Sequence, residues 1–467
     1  MKISIIDRLT QSRDILLYRE ETNIFISFAK NNFVNKKILR LAVPNIISNV
    51  TIPLLGLVDL ALMGHLDSAI YVGAISLGTV IFNFIYWGFS FLRMSTSGFT
   101  SQSYGEKNQQ ENFSILVRAM IISTVISLFI ILLQIPIEWL SFKLINGSAE
   151  VESLASEYFR IRVWAAPATL GLYVLNGWFL GMQNAKYPMI TSIAANVFNI
   201  ILSLIFVKSL HLNVTGVALG TVLAQYLGIL VGLTLFFRKY KDLIRHWNWQ
   251  AIIDTTALKN FFRVNSDIFI RTFCVIFVFT FFTSKSASIN DHVLAVNSIL
   301  IQFLLFFAFF IDGFAYAGEA LAGRYLGEKN RTLFLKLTRQ LFYWGGLLAF
   351  IFGLIYLFGN RLILQILTNQ QDLIESALDF KLWIVITPIV SFASFIWDGV
   401  YIGATASKEM RNTMLGASLL VFLPSYFLLY PILGNHALWL AMTLFMLSRG
   451  VFQSFLFPKI IRKNFNY

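Results

Sequence analysis

The stretch Leu39–Gly64, LRLAVPNIISNVTIPLLGLVDLALMG, decides how the rest of the chain is read. It is long enough to cross a bilayer, and beyond Arg40 at its edge it carries one charge, the carboxylate of Asp59. At about 100° per residue, Asn45, Asn49, Gly56 and Asp59 fall inside one narrow arc of a helix, and the other faces are Leu, Ile and Val. Such a span is expected to turn its polar stripe to a cavity and the rest to lipid. Pro44 and Pro53 remove helix hydrogen bonds, and Pro44 is the candidate bend. An acid in hydrocarbon costs roughly 2.5–3.5 kcal/mol, so keeping Asp59 there points to a use, the structural alternative being a protonated Asp that bonds a neighbouring helix.

The composition extends this reading to the whole chain. Of 467 residues 57% are hydrophobic and 13% charged, about half the charge of an ordinary soluble domain. Apolar runs of 18 or more residues recur twelve times between residue 38 and about 458, far longer than the roughly ten-residue strands of an outer-membrane barrel. The expectation is an all-α, multi-pass integral membrane protein. A net charge of +13 would suit nucleic acid, but the basic residues are scattered over short loops, so no nucleic-acid partner is expected. The single cysteine, Cys274, cannot form a disulfide within the chain.

The expected spans are 38–64, 69–97, 113–135, 153–180, 188–207 and 213–237, then 257–282, 291–317, 333–357, 378–403, 411–431 and 436–458. This divides the chain into a cytoplasmic extension (1–36), a first six-helix lobe (37–237), a basic cytoplasmic linker (238–256), a second lobe (257–460) and a cytoplasmic tail (461–467). Lys107, Lys186, Arg238, Lys239, Lys241, Arg331 and Lys408 fall in loops on one side, while the opposite loops are poor in cations. The positive-inside rule puts both termini in the cytoplasm, in the inner membrane of a cell.

The halves repeat. GEKN occurs at Gly105–Asn108 and at Gly327–Asn330, with 327 − 105 = 222. NGWFLG at Asn176–Gly181 and DGVYIG at Asp398–Gly403 are separated by the same distance, 398 − 176 = 222. Six spans per half is an even number, so both copies enter the membrane in the same sense. That is a parallel repeat about an axis along the membrane normal, with a substrate path between two lobes.

Further polar stripes converge in the first lobe: Thr169, Tyr173 and Asn176; Ser192, Asn196, Asn199 and Ser203; Thr221 and Gln225. With Asp59 they form a candidate hydrated chamber, the alternative being amide and hydroxyl pairs that knit helices together. In the second lobe Asp267 and Arg271 are four apart and can pair, while Asp312, Tyr316 and Glu319 share one helix face and Ser391, Ser394 and Asp398 another. Asp312, Glu319 and Asp398 either line an inner vestibule or hold loops through Arg324 and Arg411. No phosphate loop, zinc motif, nucleophile elbow or Cys/His cluster occurs, so no catalytic residue, metal or cofactor is assigned.

The acid fifteen residues after Pro44, together with NGWFLGMQNAKYP, AANVFNIILS, RVNSDIFIRT, DGFAYAGEALAGRYLGEKN and DGVYIGATASKEMRN, resembles the multidrug and toxic compound extrusion (MATE) family over roughly residues 36–460, more narrowly its DNA-damage-inducible (DinF) branch. The resemblance implies twelve helices in two pseudo-symmetric six-helix bundles forming a V. It also implies efflux driven by an ion gradient, Asp59 as the protonated acid, Pro44 as the bend, and Asn176, Asn199 and Thr221 as lining. The family motif on the fifth helix is Asn followed four residues later by Asp, and here Asn199 is followed by Ser203. That leaves Asp59 as the sole titrating group of this lobe and favours protons over sodium.

The function expected is a monomeric secondary antiporter that exports organic, cationic or amphipathic compounds in exchange for protons. Two alternatives are a lipid-linked precursor flippase, which needs a cluster of Arg or Lys mid-membrane, and a polytopic membrane enzyme, which needs acids or histidines grouped at a surface loop.

Overall fold

The computed structural model describes residues 33–51, 53, 56, 69–144 and 148–465. Asp59, the later part of the first expected span and residues 1–32 of the extension lie outside the described residues. Among the described residues every regular element is helical. In the first half α1 covers residues 33–51. It is followed by α2 (Ala69–Gly88), α3 (Phe91–Gly105), α4 (Gln109–Leu132), α5 (Gln134–Leu144), α6 (Ala149–Arg162), α7 (Ala166–Gly181), α8 (Lys186–Leu204) and α9 (Asn213–Tyr240). After a linker holding the short α10 (Trp249–Ile252) come α11 (Thr255–Ile289), α12 (Asp291–Gly327), α13 (Arg331–Leu367) and α14 (Gln371–Leu378). The chain ends with α15 (Lys381–Gly403), α16 (Ser407–Gly416), α17 (Leu423–Leu433) and α18 (Asn435–Phe465).

Eleven helical spans among the described residues are long and apolar enough to cross a membrane. Their limits differ from the hydropathy reading in two ways. The second span breaks at Phe89–Ser90 and runs on to Gly105, and the eighth runs to Gly327 rather than stopping near 317. Hydropathy falls before these helices end, because their last turns are buried against protein instead of lipid; Ser97, Ser101, Glu319 and Tyr325 are all buried there.

What stops both helices is the GEKN tetrapeptide. The glycine ends α3 or α12, the lysine adopts a left-handed conformation (φ 58° at Lys107, 53° at Lys329), and the asparagine caps the next helix. Asn108 Oδ1 accepts from Glu111 N–H and Asn330 Oδ1 from Leu333 N–H, each at 3.0 Å.

The repeat also governs packing within each half. A Cβ at Gly177 would lie 2.3 Å from the Arg93 carbonyl oxygen, and one at Gly399 would lie 2.1 Å from that of Ala315. Both members of these pairs are related by the same shift, 399 − 177 = 222 and 315 − 93 = 222. Gly181 against Ser97 and Gly403 against Glu319 repeat the arrangement one turn on.

Between the halves the contacts are reciprocal. A Cβ at Gly105 would fall 2.1 Å from Arg324 O, and one at Gly327 would fall 2.0 Å from Gln102 O. Gly323 meets Ser101, its own repeat equivalent (323 − 101 = 222), as happens only beside a two-fold axis. The lobes therefore meet along a seam of small residues on α3 and α12, at the membrane face that carries both GEKN turns. Gln102 Nε2 donates across it to Gly403 O (2.8 Å) and Gln183 Nε2 to Ala320 O (2.8 Å). α1 leans on the same seam, since Gly313 of α12 leaves room for Ile46 and Ala42.

Candidate functional site

The polar residues expected in the first lobe divide into two groups. One joins helices α7, α8 and α9. Thr191 Oγ1 donates to Asn176 Oδ1 (2.8 Å) and Asn199 Nδ2 to Thr221 Oγ1 (3.0 Å). Asn196 Nδ2 reaches Thr51 Oγ1 of α1 at 3.1 Å. Ser203 is fully buried against Gly220, and neither its hydroxyl nor Asn199 Oδ1 has a hydrogen-bond partner among the described residues. Tyr173 and Gln225 are half-buried on the same helices, and Tyr173 lies within electrostatic range of the Arg93 guanidinium.

The other group, Asn45 and Asn49, belongs elsewhere. Asn45 Nδ2 donates back to Leu41 O (2.8 Å), and Asn49 Nδ2 crosses to Phe309 O of α12 in the second lobe (3.1 Å). The helical arc shared with Asp59 therefore begins at the seam between lobes rather than inside the first. Helix α1 continues unbroken through Pro44, whose missing N–H leaves the Arg40 carbonyl without its helical donor.

The second lobe holds charges deep in its core. Asp398 Oδ2 accepts from Arg271 and from Arg449 Nη2 (2.7 Å), while Oδ1 accepts from Gln453 Nε2 (2.9 Å). Asp312 lies within electrostatic range of Arg271, Arg449 and Arg93. Unpaired, any of these ions would cost several kcal/mol to keep out of water.

This corrects the expected pairings. Asp267 and Arg271 do not pair with each other: Asp267 takes Arg411 Nη1 (2.6 Å) and Ser407 Oγ (2.8 Å) at the start of α16, and Arg271, one turn deeper, takes Asp398. Nor do Arg324 and Arg411 hold Glu319 and Asp398. Arg324 bonds Glu328 (2.7 Å), and Glu319 is paired across the seam with Arg93, at 3.4 Å. The deeper acids capture the deeper arginines because each would otherwise be a lone charge in low dielectric.

Arginines are thus more important here than the sequence reading allowed. Arg93 and Arg449 are cations inside the spans that it did not weigh, and Arg271 it matched to another acid; Arg93 bonds Glu319, while Arg271 and Arg449 share Asp398. The signal was available for Arg93, a lone arginine inside an apolar span with no acid in that span.

Two lobes related by an internal repeat, a glycine seam between them and polar residues turned inward agree with a comparison to known families. The MatE family model matches residues 44–205 and 268–427, one segment in each half. The chain belongs to the MATE family. DNA damage-inducible protein F of Escherichia coli K12 is 39% identical over 421 residues, covering 89% of this chain and 90% of that protein. A probable multidrug resistance protein NorM of Thermotoga maritima is 24% identical over 365 residues, covering 73% and 74%. The crystal structure of the MATE transporter VcmN of Vibrio cholerae in its bent form superposes with a TM-score of 0.82 at 18% identity, covering 93% of this chain and 99% of that one. As a MATE protein the chain is a multi-pass membrane transporter and not an enzyme.

Proposed function

We propose that the protein is a secondary active antiporter that exports organic, cationic or amphipathic compounds in exchange for protons. The observation that carries this reading is the seam. The two halves touch through reciprocal glycine contacts on the GEKN face, and such a junction of bare backbone can part and re-form as a unit, which alternating access requires. The names of relatives that refer to multidrug resistance support the same substrate class. The GEKN face is the cytoplasmic one on the distribution of lysine and arginine, with both termini inside and the transporter monomeric in the inner membrane. The lobes are residues 37–237 and 257–460.

Asp59 is the coupling group. Protonation from the outer side neutralises it, weakens its hold on a cation and lets the first helix repack near Pro44. The amides and hydroxyls of Tyr173, Asn176, Asn196, Asn199, Ser203, Thr221 and Gln225 line the path that the substrate leaves by. Sodium needs several oxygen ligands, and Ser203, where the family's motif has a second acid, makes protons the better-suited ion. One charge moving through about 100 mV supplies roughly 2.3 kcal/mol. The flippase needs a free cationic cluster mid-membrane, whereas Arg93 is paired with Glu319 and Arg271 and Arg449 both bond Asp398.

The test is dye or drug uptake into energised inside-out vesicles with pH and sodium gradients imposed separately. Uptake that follows the pH gradient and ignores sodium is the expected result; strict dependence on sodium at fixed pH overturns the proton assignment.

A further inference from the structure

Arg93 is the third residue of α3, in the first lobe, yet its side chain is bound by the second. Nη1 lies 3.4 Å from each carboxylate oxygen of Glu319, and Cζ lies 4.3 Å from the centre of the Tyr316 ring. Asp312, on the same face of α12, is within electrostatic range. A buried carboxylate beside an aromatic face is the recognition set for a planar delocalised cation. Neither partner is repeated in the other half: Ala315 stands at the equivalent of Arg93 (93 + 222 = 315) and Ser97 at that of Glu319 (319 − 222 = 97).

The pair is also loosely made. Its oxygens sit at 3.4 Å, and Arg93 Nη2 is buried with no hydrogen-bond partner among the described residues. Arg449, by contrast, donates to Asp398 at 2.7 Å with both residues in one lobe. A contact that joins two lobes must break when they separate, and one that lies within a lobe need not.

We propose that the Asp312–Tyr316–Glu319 face of α12 is a guanidinium-binding site that the chain's own Arg93 fills while the GEKN seam is closed and vacates when it opens. Once vacated, it takes a delocalised organic cation from that side, because Glu319 is otherwise left without a counter-ion. Closure returns Arg93 and displaces the guest, so that the arginine is a tethered competitor. This rests on the alternating-access reading above.

The test is chemical rescue in the purified full-length protein. Spin labels are attached at Lys107→Cys and Lys329→Cys, both in exposed GEKN turns, with Cys274→Ser in the background. The wild-type arginine is expected to give short label separations that ethylguanidinium leaves unchanged. Arg93→Ala is expected to shift the population to long separations, and ethylguanidinium to restore the short ones, binding about tenfold more tightly than to the wild type, as a charge-assisted hydrogen bond implies. Glu319→Gln, which keeps the side-chain volume, is expected to open the seam by itself and, combined with Arg93→Ala, to abolish the rescue. Wild-type separations in both single variants, or an opened Arg93→Ala that ethylguanidinium does not close, overturn the proposal. If Arg93→Ala does not fold, Glu319→Gln decides alone: no opening refutes the site. A seam that responds to ethylguanidinium in a protein without proton-driven uptake leaves the site standing and removes the antiport reading; proton-driven uptake without that response does the reverse.

Discussion

Asn45, Asn49 and Asn176 of the first lobe stand where Asp267, Arg271 and Asp398 stand in the second, each pair one repeat apart (267 − 45 = 222, 271 − 49 = 222, 398 − 176 = 222). The same backbone positions therefore carry neutral amides in one half and buried ions in the other. The amides make single neutral bonds, such as Asn49 to Phe309 O or Thr191 to Asn176. The carboxylates are tied by several partners each: Asp398 has two arginines and a glutamine, and Asp267 an arginine and a serine. An interhelical amide bond in a membrane is worth about 0.6 kcal/mol on average, whereas an ion stripped of its partner costs several. The comparison teaches that the repeat conserves what the backbone needs, small residues where helices touch, and leaves the side-chain chemistry free to diverge. At these three positions the first lobe can exchange its hydrogen bonds at low cost, while the second is held by ion pairs.

The strongest way to break this comparison is to remove an ion. Asp398→Ala leaves Arg271 and Arg449 facing each other without a carboxylate and is expected to cost roughly 3–5 kcal/mol, read as a large fall in unfolding temperature in detergent. Asn176→Ala at the equivalent position is expected to cost about 0.6 kcal/mol. Similar falls for the two would mean that the lobes do not differ in the way described.

The seam gives a test of intermediate size. Gly105→Ala and Gly327→Ala each drive a methyl group into a backbone carbonyl of the other lobe and are expected to disfavour the closed seam by about 1–3 kcal/mol, equally within error. Label separations across the GEKN face measure this, and clearly unequal shifts would contradict the two-fold relation. A Cβ at Gly323 meets the Ser101 side chain and also the Gly403 carbonyl oxygen at 2.9 Å, so Ser101→Gly is expected to rescue Gly323→Ala only in part. The smallest effects belong to the caps: Asn108→Ala and Asn330→Ala are expected to cost about 1 kcal/mol each, as faster amide exchange in the first turns of α4 and α13.

The repeat was legible in the sequence because both of its motifs sit where glycine is compulsory. Gly105, Gly177 and Gly181 and their equivalents each approach another helix too closely for a side chain, so the motif and the contact coincide. The ion pairs were not legible, for an equally physical reason. Spacing reveals partners on one helix, and Asp267 with Arg271 is such a spacing, but each has a better partner from another helix. Arg93 and Glu319 are 226 residues apart and meet only because the two lobes do. The amide stripe on α1 was legible as a stripe but not in direction, since Asn49 serves the seam. The helix ends at Gly105 and Gly327 lay beyond the apolar runs because burial in protein, unlike burial in lipid, accepts serine and glutamate.

The central claim is that export is coupled to protons through Asp59, and one substitution tests it directly. Asp59→Asn keeps the side-chain volume and fixes the position in a neutral state, and losing a charge in hydrocarbon costs nothing for insertion. At matched membrane expression, proton-driven dye uptake into inside-out vesicles is predicted to disappear while the protein remains folded. Full uptake in Asp59→Asn, or loss of the folded protein in place of loss of transport, would contradict the account.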